Sequence, residues 1–172
     1  MNDSDFKSLF SPNSYFYSPT KGRLLMSEVV KEIISYIREK PDMFYDVIVG
    51  CDSSSSDLPE FPVAVVVLRK GAGGRFFLKK ISYGNKKFYH WKTRILQEIL
   101  LSCELALTLK EDLLNKAKGL DYEFRYIHAD IGEQGETKEM IKEVVGIIKG
   151  NGFEPKLKPE SFAASNVADR YT

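Results

Sequence analysis

The stretch YDVIVGCDSSSS, residues 45–56, decides the fold: an apolar, β-branched run ends in a carboxylate, Asp52, and four hydroxyls follow it at Ser53, Ser54, Ser55 and Ser56. A second run, FRYIHADIG, ends the same way at Asp130. If the two are parallel neighbours in one sheet, their ends lie about 5 Å apart, the usual inter-strand spacing. Two carboxylates that close can share a divalent cation, so the pattern points to metal-assisted chemistry.

Working outward from residue 45, three strand-like runs follow one another: DVIVGC, FPVAVVVLRK and GRFFLKKISYG. The Ser-rich segment separates the first two, and GAGG between the second and third reads as a hairpin turn. GAGG lacks the Lys and the Ser or Thr of a phosphate loop. A helical period then runs over residues 89–116, with Ile95, Ile99, Ala106 and Leu109 among its apolar positions, before GLDYEFRYIHADIG returns as a strand. Thr137 is placed to cap the helix EMIKEVVGIIK, which Gly150 and Gly152 stop. FEPKLKP gives a last short strand and SFAASNVADRY a short terminal helix. Upstream, Val29, Val30, Ile33, Ile34 and Ile37 fall on one helical face, with Ser27 as N-cap and Pro41 as stop. Residues 1–23 have no sustained period and read as an irregular arm. The order helix, βββαβα, β and terminal helix joins an antiparallel meander to right-handed crossovers, the mixed-sheet pattern of an α/β domain.

The chain has 172 residues, enough for one domain with a substantial core. Its formal charge of +1 excludes a global positive field, so any polyanion site must be local. Cys51 and Cys103 have no metal-ligand spacing and read as reduced core residues. No apolar run approaches the roughly 20 residues of a membrane span, and MNDSDFKSLF is polar where a signal peptide is basic and then greasy. A cytoplasmic protein without a membrane partner is the expectation.

The meander makes its first and third strands parallel, so the helix after the third begins at the edge where Asp52 stands. Glu98 sits early on that helix. Glu104 competes, but six residues further on it is displaced by about 9 Å along the axis, so both cannot serve one small site. The crossover then sets Asp130 beside Asp52, at the position where α/β sheets build sites. Near the end of the chain Asp169 is a candidate fourth carboxylate, with Glu160 as the competing choice.

An Asp ending strand one, a Glu on the first crossover helix, an Asp ending strand four and a late Asp together resemble the ribonuclease H-like superfamily. More closely, GCDSSSS, HADIGEQGET and KPESFAASNVADRYT resemble the signature segments of the YkuK-type family of predicted ribonuclease H-related nucleases, over residues 44–172. The resemblance implies a ribonuclease H-like mixed five-stranded sheet flanked by helices, in a domain of residues 44–172. Residues 1–43 would then add an arm and an extra N-terminal helix. It also implies that Asp52, Glu98 and Asp130 are metal-binding carboxylates, with Asp169 matched by its late position alone. Two cations, magnesium or manganese, would serve hydrolysis of nucleic-acid phosphodiester bonds. The chain departs from true ribonucleases H in having no His after His128, which counts against RNA–DNA hybrid specificity. It also lacks the Asp-x-Glu with which exonucleases of this fold begin.

Other residues have two readings each. His128 stands two residues before Asp130, as a second-layer group or as a hydrogen-bonded core histidine. Ser53 either donates to Asp52 or to a phosphate, or belongs to a plain loop. Lys87, Lys92 and Arg94 before Glu98, and Lys158 and Arg170 near the terminus, form either a phosphate-binding rim or solvated surface. The leading expectation is a metal-dependent nuclease acting on RNA or DNA. The alternative is a noncatalytic domain of the same fold that binds nucleic acid or protein.

Overall fold

The computed structural model describes residues 8–163 and residue 166. Seven extended or helical segments make up the central part. Strand β3 (Tyr45–Cys51), β4 (Phe61–Arg69) and β5 (Gly74–Ile81) form the antiparallel meander. Helix α2 (Trp91–Lys116) crosses over to β6 (Glu123–Ala129), which lies parallel to β3. Helix α3 (Ile141–Gly150) crosses over again to β7 (Glu154–Lys156), parallel to β6.

The sheet has seven strands where five were expected, because the segment read as an irregular arm forms a hairpin. Strands β1 (Tyr15–Ser18) and β2 (Gly22–Leu25) pair with each other, and β1 continues the sheet by pairing with β5. The full order is β2-β1-β5-β4-β3-β6-β7. Four-residue strands are too short to show a sustained period in sequence, and β1 turns one apolar side chain, Phe16, and the small Ser18 inward while Tyr15 and Tyr17 face outward.

Helix α1 (Met26–Glu39) buries Val29, Val30, Ile33, Ile34 and Ile37 as its spacing predicts. Its start differs. The helix begins before Ser27, and the Glu28 carboxylate reaches back to accept the Leu25 N–H at 2.6 Å. A carboxylate in the first turn satisfies an orphan donor as a hydroxyl would and also favours the helix dipole. Thr137 likewise does not cap α3. It lies in a short 3₁₀ turn, Glu136–Met140, and its hydroxyl accepts from the Gly132 N–H at 3.4 Å.

Strands β3 and β4 are buried on both faces, which is why they read as continuous apolar runs. On one side Val47, Val49, Cys51, Val63, Val65 and Val67 meet the helices, including Ile99, Leu105, Leu109 and Leu113 of α2. On the other, Ile48 and Val66 pack with Ala163, flanked by Phe76 and Phe162. Burying each such side chain contributes about 1.5–3 kcal/mol. GAGG is the β4–β5 turn, with Gly71 and Gly73 at φ +75° and +85°, a region that side chains with a Cβ rarely adopt. Cys51 and Cys103 are free and buried.

Candidate active site

The parallel register of β3 and β6 pairs Gly50 with His128 and Cys51 with Ala129. The next residues on the two strands are Asp52 and Asp130, so the two acids leave the sheet side by side at one edge. Glu98, in the third turn of α2, is 7% exposed despite its charge.

Glu98 is held by the loop that follows Asp52. Ser53 donates to Glu98 Oε1 from its backbone N–H at 3.0 Å and from its hydroxyl at 2.5 Å. Burial pushes the Glu98 carboxyl up to about 8, and the neighbouring Asp52 charge adds to the rise. The Ser53 bonds and the Arg94 guanidinium pull the other way without overcoming it. Glu98 is therefore protonated at neutral pH. The thiol of Cys51 is raised well above its ordinary value by burial, with the charges of Glu98 and Asp52 acting in the same direction.

Asp130 has a different neighbour. Lys158 Nζ stands 2.8 Å from its Oδ2, while Oδ1 is buried and accepts no hydrogen bond. Pairing of His128 with Lys156 in β6 and β7 carries two residues further to bring Asp130 and Lys158 together. The close approach requires Gly132, where a Cβ would lie 3.1 Å from Lys158 Cβ, and Lys158 N–H donates to Ile131 O at 2.8 Å.

The remaining candidates spread out. His128 is 2% exposed, accepts the Ala163 N–H on Nδ1 at 3.1 Å and meets the Phe162 ring edge-on at 4.7 Å. Burial lowers it to about 4, the Lys156 charge assists and Glu160 opposes, so the imidazole is neutral at pH 7. Lys92 pairs with Glu139 at 3.0 Å, and Lys87 is exposed beside Tyr89. Glu104, the competitor of Glu98, accepts from Ser8 at 3.4 Å, and Glu160 pairs with Lys156 at 3.1 Å. Asp169 and Arg170 lie outside the described residues. Among the described residues no three His, Cys, Asp or Glu side chains come together closely enough to hold a metal ion. No helix among them is long and apolar enough to cross a membrane.

A family model described as Ribonuclease H-like matches residues 28–172. The chain belongs to the ribonuclease H-like family. The match takes in nearly all of α1, so in this ribonuclease H-like chain that helix lies within the matched region, and only the β1–β2 hairpin and the residues before it precede it. The chain is also 29% identical over 167 residues to "Uncharacterized protein YkuK" of Bacillus subtilis (strain 168), covering 91% of this chain and 96% of that one. No solved structure gives a significant match.

Sequence reasoning missed two contacts. Ser53 was expected to serve Asp52 or a phosphate, and in the fold it grips Glu98. Lys158 was expected at a phosphate and instead pairs with Asp130. Only the second left a signal, since Asp130 and Lys158 each lie two residues past a paired position, His128 and Lys156, of parallel strands.

Proposed function

We propose that this chain is a metal-dependent nuclease that hydrolyses phosphodiester bonds, with its site at the shared edge of β3 and β6. The observation carrying this reading is the side-by-side exit of Asp52 and Asp130 beneath a buried Glu98 that keeps its proton to about 8. Acids crowded in this way repel one another, and a cation relieves the repulsion.

The donor set fits a hard cation. It offers carboxylate oxygens throughout, and Asp130 Oδ1 is buried with no hydrogen bond to lose. Asp52 and Asp130 would hold magnesium or manganese, with Glu98 joining them on release from Ser53 and Asp169 as the fourth acid. Such ions, when bound, neutralise phosphate charge and lower the pKa of coordinated water. Ser53 meanwhile keeps the protonated Glu98 fixed over the edge. Lys158 holds the Asp130 carboxylate in position and, once that carboxylate is engaged elsewhere, would turn to a phosphate oxygen. Lys87, Lys92 and Arg94 would supply further phosphate contacts, with RNA or DNA as the substrate class in a cytoplasmic setting.

A second reading is favoured by one specific observation. Lys158 already neutralises Asp130, and the described acids do not gather into a metal cluster. A noncatalytic domain binding nucleic acid or a protein would need nothing more.

Labelled RNA, DNA and hybrid substrates with magnesium or manganese decide between them. Turnover by the wild type that disappears in both Asp52→Asn and Asp130→Asn supports the nuclease. No turnover by folded wild type on any substrate leaves the binding domain.

A further inference from the structure

The helices cover one face of the sheet along its whole width, and the other face is open at the β1 end. There Tyr15 and Tyr17 are 50% and 46% exposed, while Phe16 between them points into the main core. Arg23 pairs with Tyr17 across the hairpin and lays its guanidinium 3.7 Å from the centroid of the Tyr15 ring. These residues, with Leu78, Lys79 and Lys80 of β5, line an open groove of about 760 Å³. Arg23 and Lys80 are its cations, since the ammonium of Lys79 turns to the Phe10 and Phe16 rings on the other face, and no acid lines it, in a chain whose formal charge is only +1. Lys80 is tied to Glu60 at 3.0 Å outside the lining, and Arg23 is exposed.

The register connects this groove to the candidate active site. Lys80 pairs with Pro62, and the next residue of β4, Val63, pairs with Cys51. The row containing Lys80 and Pro62 therefore continues to Asp52 and, one strand further, to Asp130. Lys80 stands two strands from Asp52, about 10 Å, and β1 lies one more strand away, about 14 Å in all.

We infer that this groove binds single-stranded nucleic acid, with Tyr15 and Tyr17 stacking on unpaired bases and Arg23 and Lys80 holding the flanking phosphates. Exposed aromatic rings on a sheet can stack only on bases that are splayed out, which selects a single strand over a duplex. The local excess of cations matches a polyanion, whereas a protein partner of ordinary composition has no special complement here. The destination of the bound strand, at the Asp52 and Asp130 edge, rests on the nuclease reading; the stacking itself does not. The β1–β2 hairpin precedes the matched family region, whereas the β5 residues of the groove lie within it.

The test is fluorescence anisotropy of end-labelled 12-residue oligothymidylate and oligouridylate, with a duplex of the same length, in EDTA and low salt. The expected result is tighter binding of the single strands than of the duplex, a loss of roughly tenfold in Tyr15→Ala and in Tyr17→Ala, and near-full affinity in Tyr15→Phe. Arg23→Gln with Lys80→Gln should flatten the salt dependence by about 0.7 per lost phosphate contact. Equal affinity of the wild type and both Tyr→Ala variants overturns the proposal, as does a wild type that prefers the duplex. Since EDTA removes cleavage, binding without later metal-dependent turnover would sink the nuclease reading and keep the groove. Turnover with unchanged binding in the Tyr variants would do the reverse.

Discussion

At the start of β3 the guanidinium of Arg69 donates from Nε to the Tyr45 hydroxyl at 2.8 Å, and from Nη2 to Tyr36 O at 2.9 Å and Glu39 Oε2 at 3.0 Å. It also lies 4.0 Å from the centroid of the Tyr36 ring, and Arg75 closes on the other Glu39 oxygen at 2.9 Å. At the end of the same strand, Asp52 follows Cys51, Glu98 is crowded by it, and Asp130 leaves one oxygen without a hydrogen bond. Both ends bring charge into low-dielectric surroundings. The first ties its guanidinium to a hydroxyl, a carbonyl and a carboxylate and so acts as a structural clamp, although Asp46 Oδ1 at the same strand end is itself buried without a hydrogen bond. The second crowds acids, with Glu98 kept protonated by burial and by the Asp52 charge, an arrangement that costs stability and is kept where something else is to be bound.

Four experiments would break or sharpen this contrast. The largest effect should come from Arg69→Met, which removes three hydrogen bonds made by a buried guanidinium, to the Tyr45 hydroxyl, the Tyr36 carbonyl and Glu39. Urea unfolding should show a loss of about 3 kcal/mol, with no change in any metal response at the far end. A neutral result would remove the clamp from the comparison.

Glu98→Gln should act in the opposite direction. In the unfolded chain Glu98 ionises near its ordinary 4.5, and in the fold it keeps its proton to about 8. Between those values folding takes up a proton, so the wild type is fully stable below 4.5 and loses stability as pH rises through 8. In EDTA at pH 9 the Gln variant should exceed the wild type in stability, and the gap should close below pH 4.5. A constant gap across that range would show that Glu98 is not strained.

Magnesium should raise the thermal midpoint of the wild type and leave that of Asp52→Asn and Asp130→Asn nearly unchanged. Saturation at a hundred times the dissociation constant corresponds to about 2.7 kcal/mol, and weaker binding gives proportionately less. Equal shifts in all three proteins would place the cation elsewhere. The smallest change is expected for Lys158→Met: its half-exposed pair with Asp130 contributes within about 1 kcal/mol. The more sensitive readout is magnesium affinity, which should rise when the competing ammonium is gone.

The legible part of the fold follows from residues that act through their neighbours in sequence. The apolar runs of β3 and β4, the GAGG turn and the periodic faces of α1 and α2 each carry their own pattern. The β1–β2 hairpin was not legible because a four-residue strand whose inward residues are one phenylalanine and one serine shows no apolar alternation. Ser27 and Thr137 were reasonable caps by composition, and each lost to a competing local contact, the reach of Glu28 and the 3₁₀ turn.

The site divides in the same way. The sequence by itself determined that Asp52 and Asp130 end apolar strands, because β-branched runs specify extended chain and a polar residue closes them. That Glu98 lies over the same edge followed from helix geometry. Only the tertiary structure decided that Ser53 grips Glu98, that Lys158 faces Asp130 and that His128 lies under Phe162 and Ala163. Those contacts join residues 30 to 45 positions apart or cross a parallel register, and long-range partners are selected by packing of the whole sheet rather than by any local propensity.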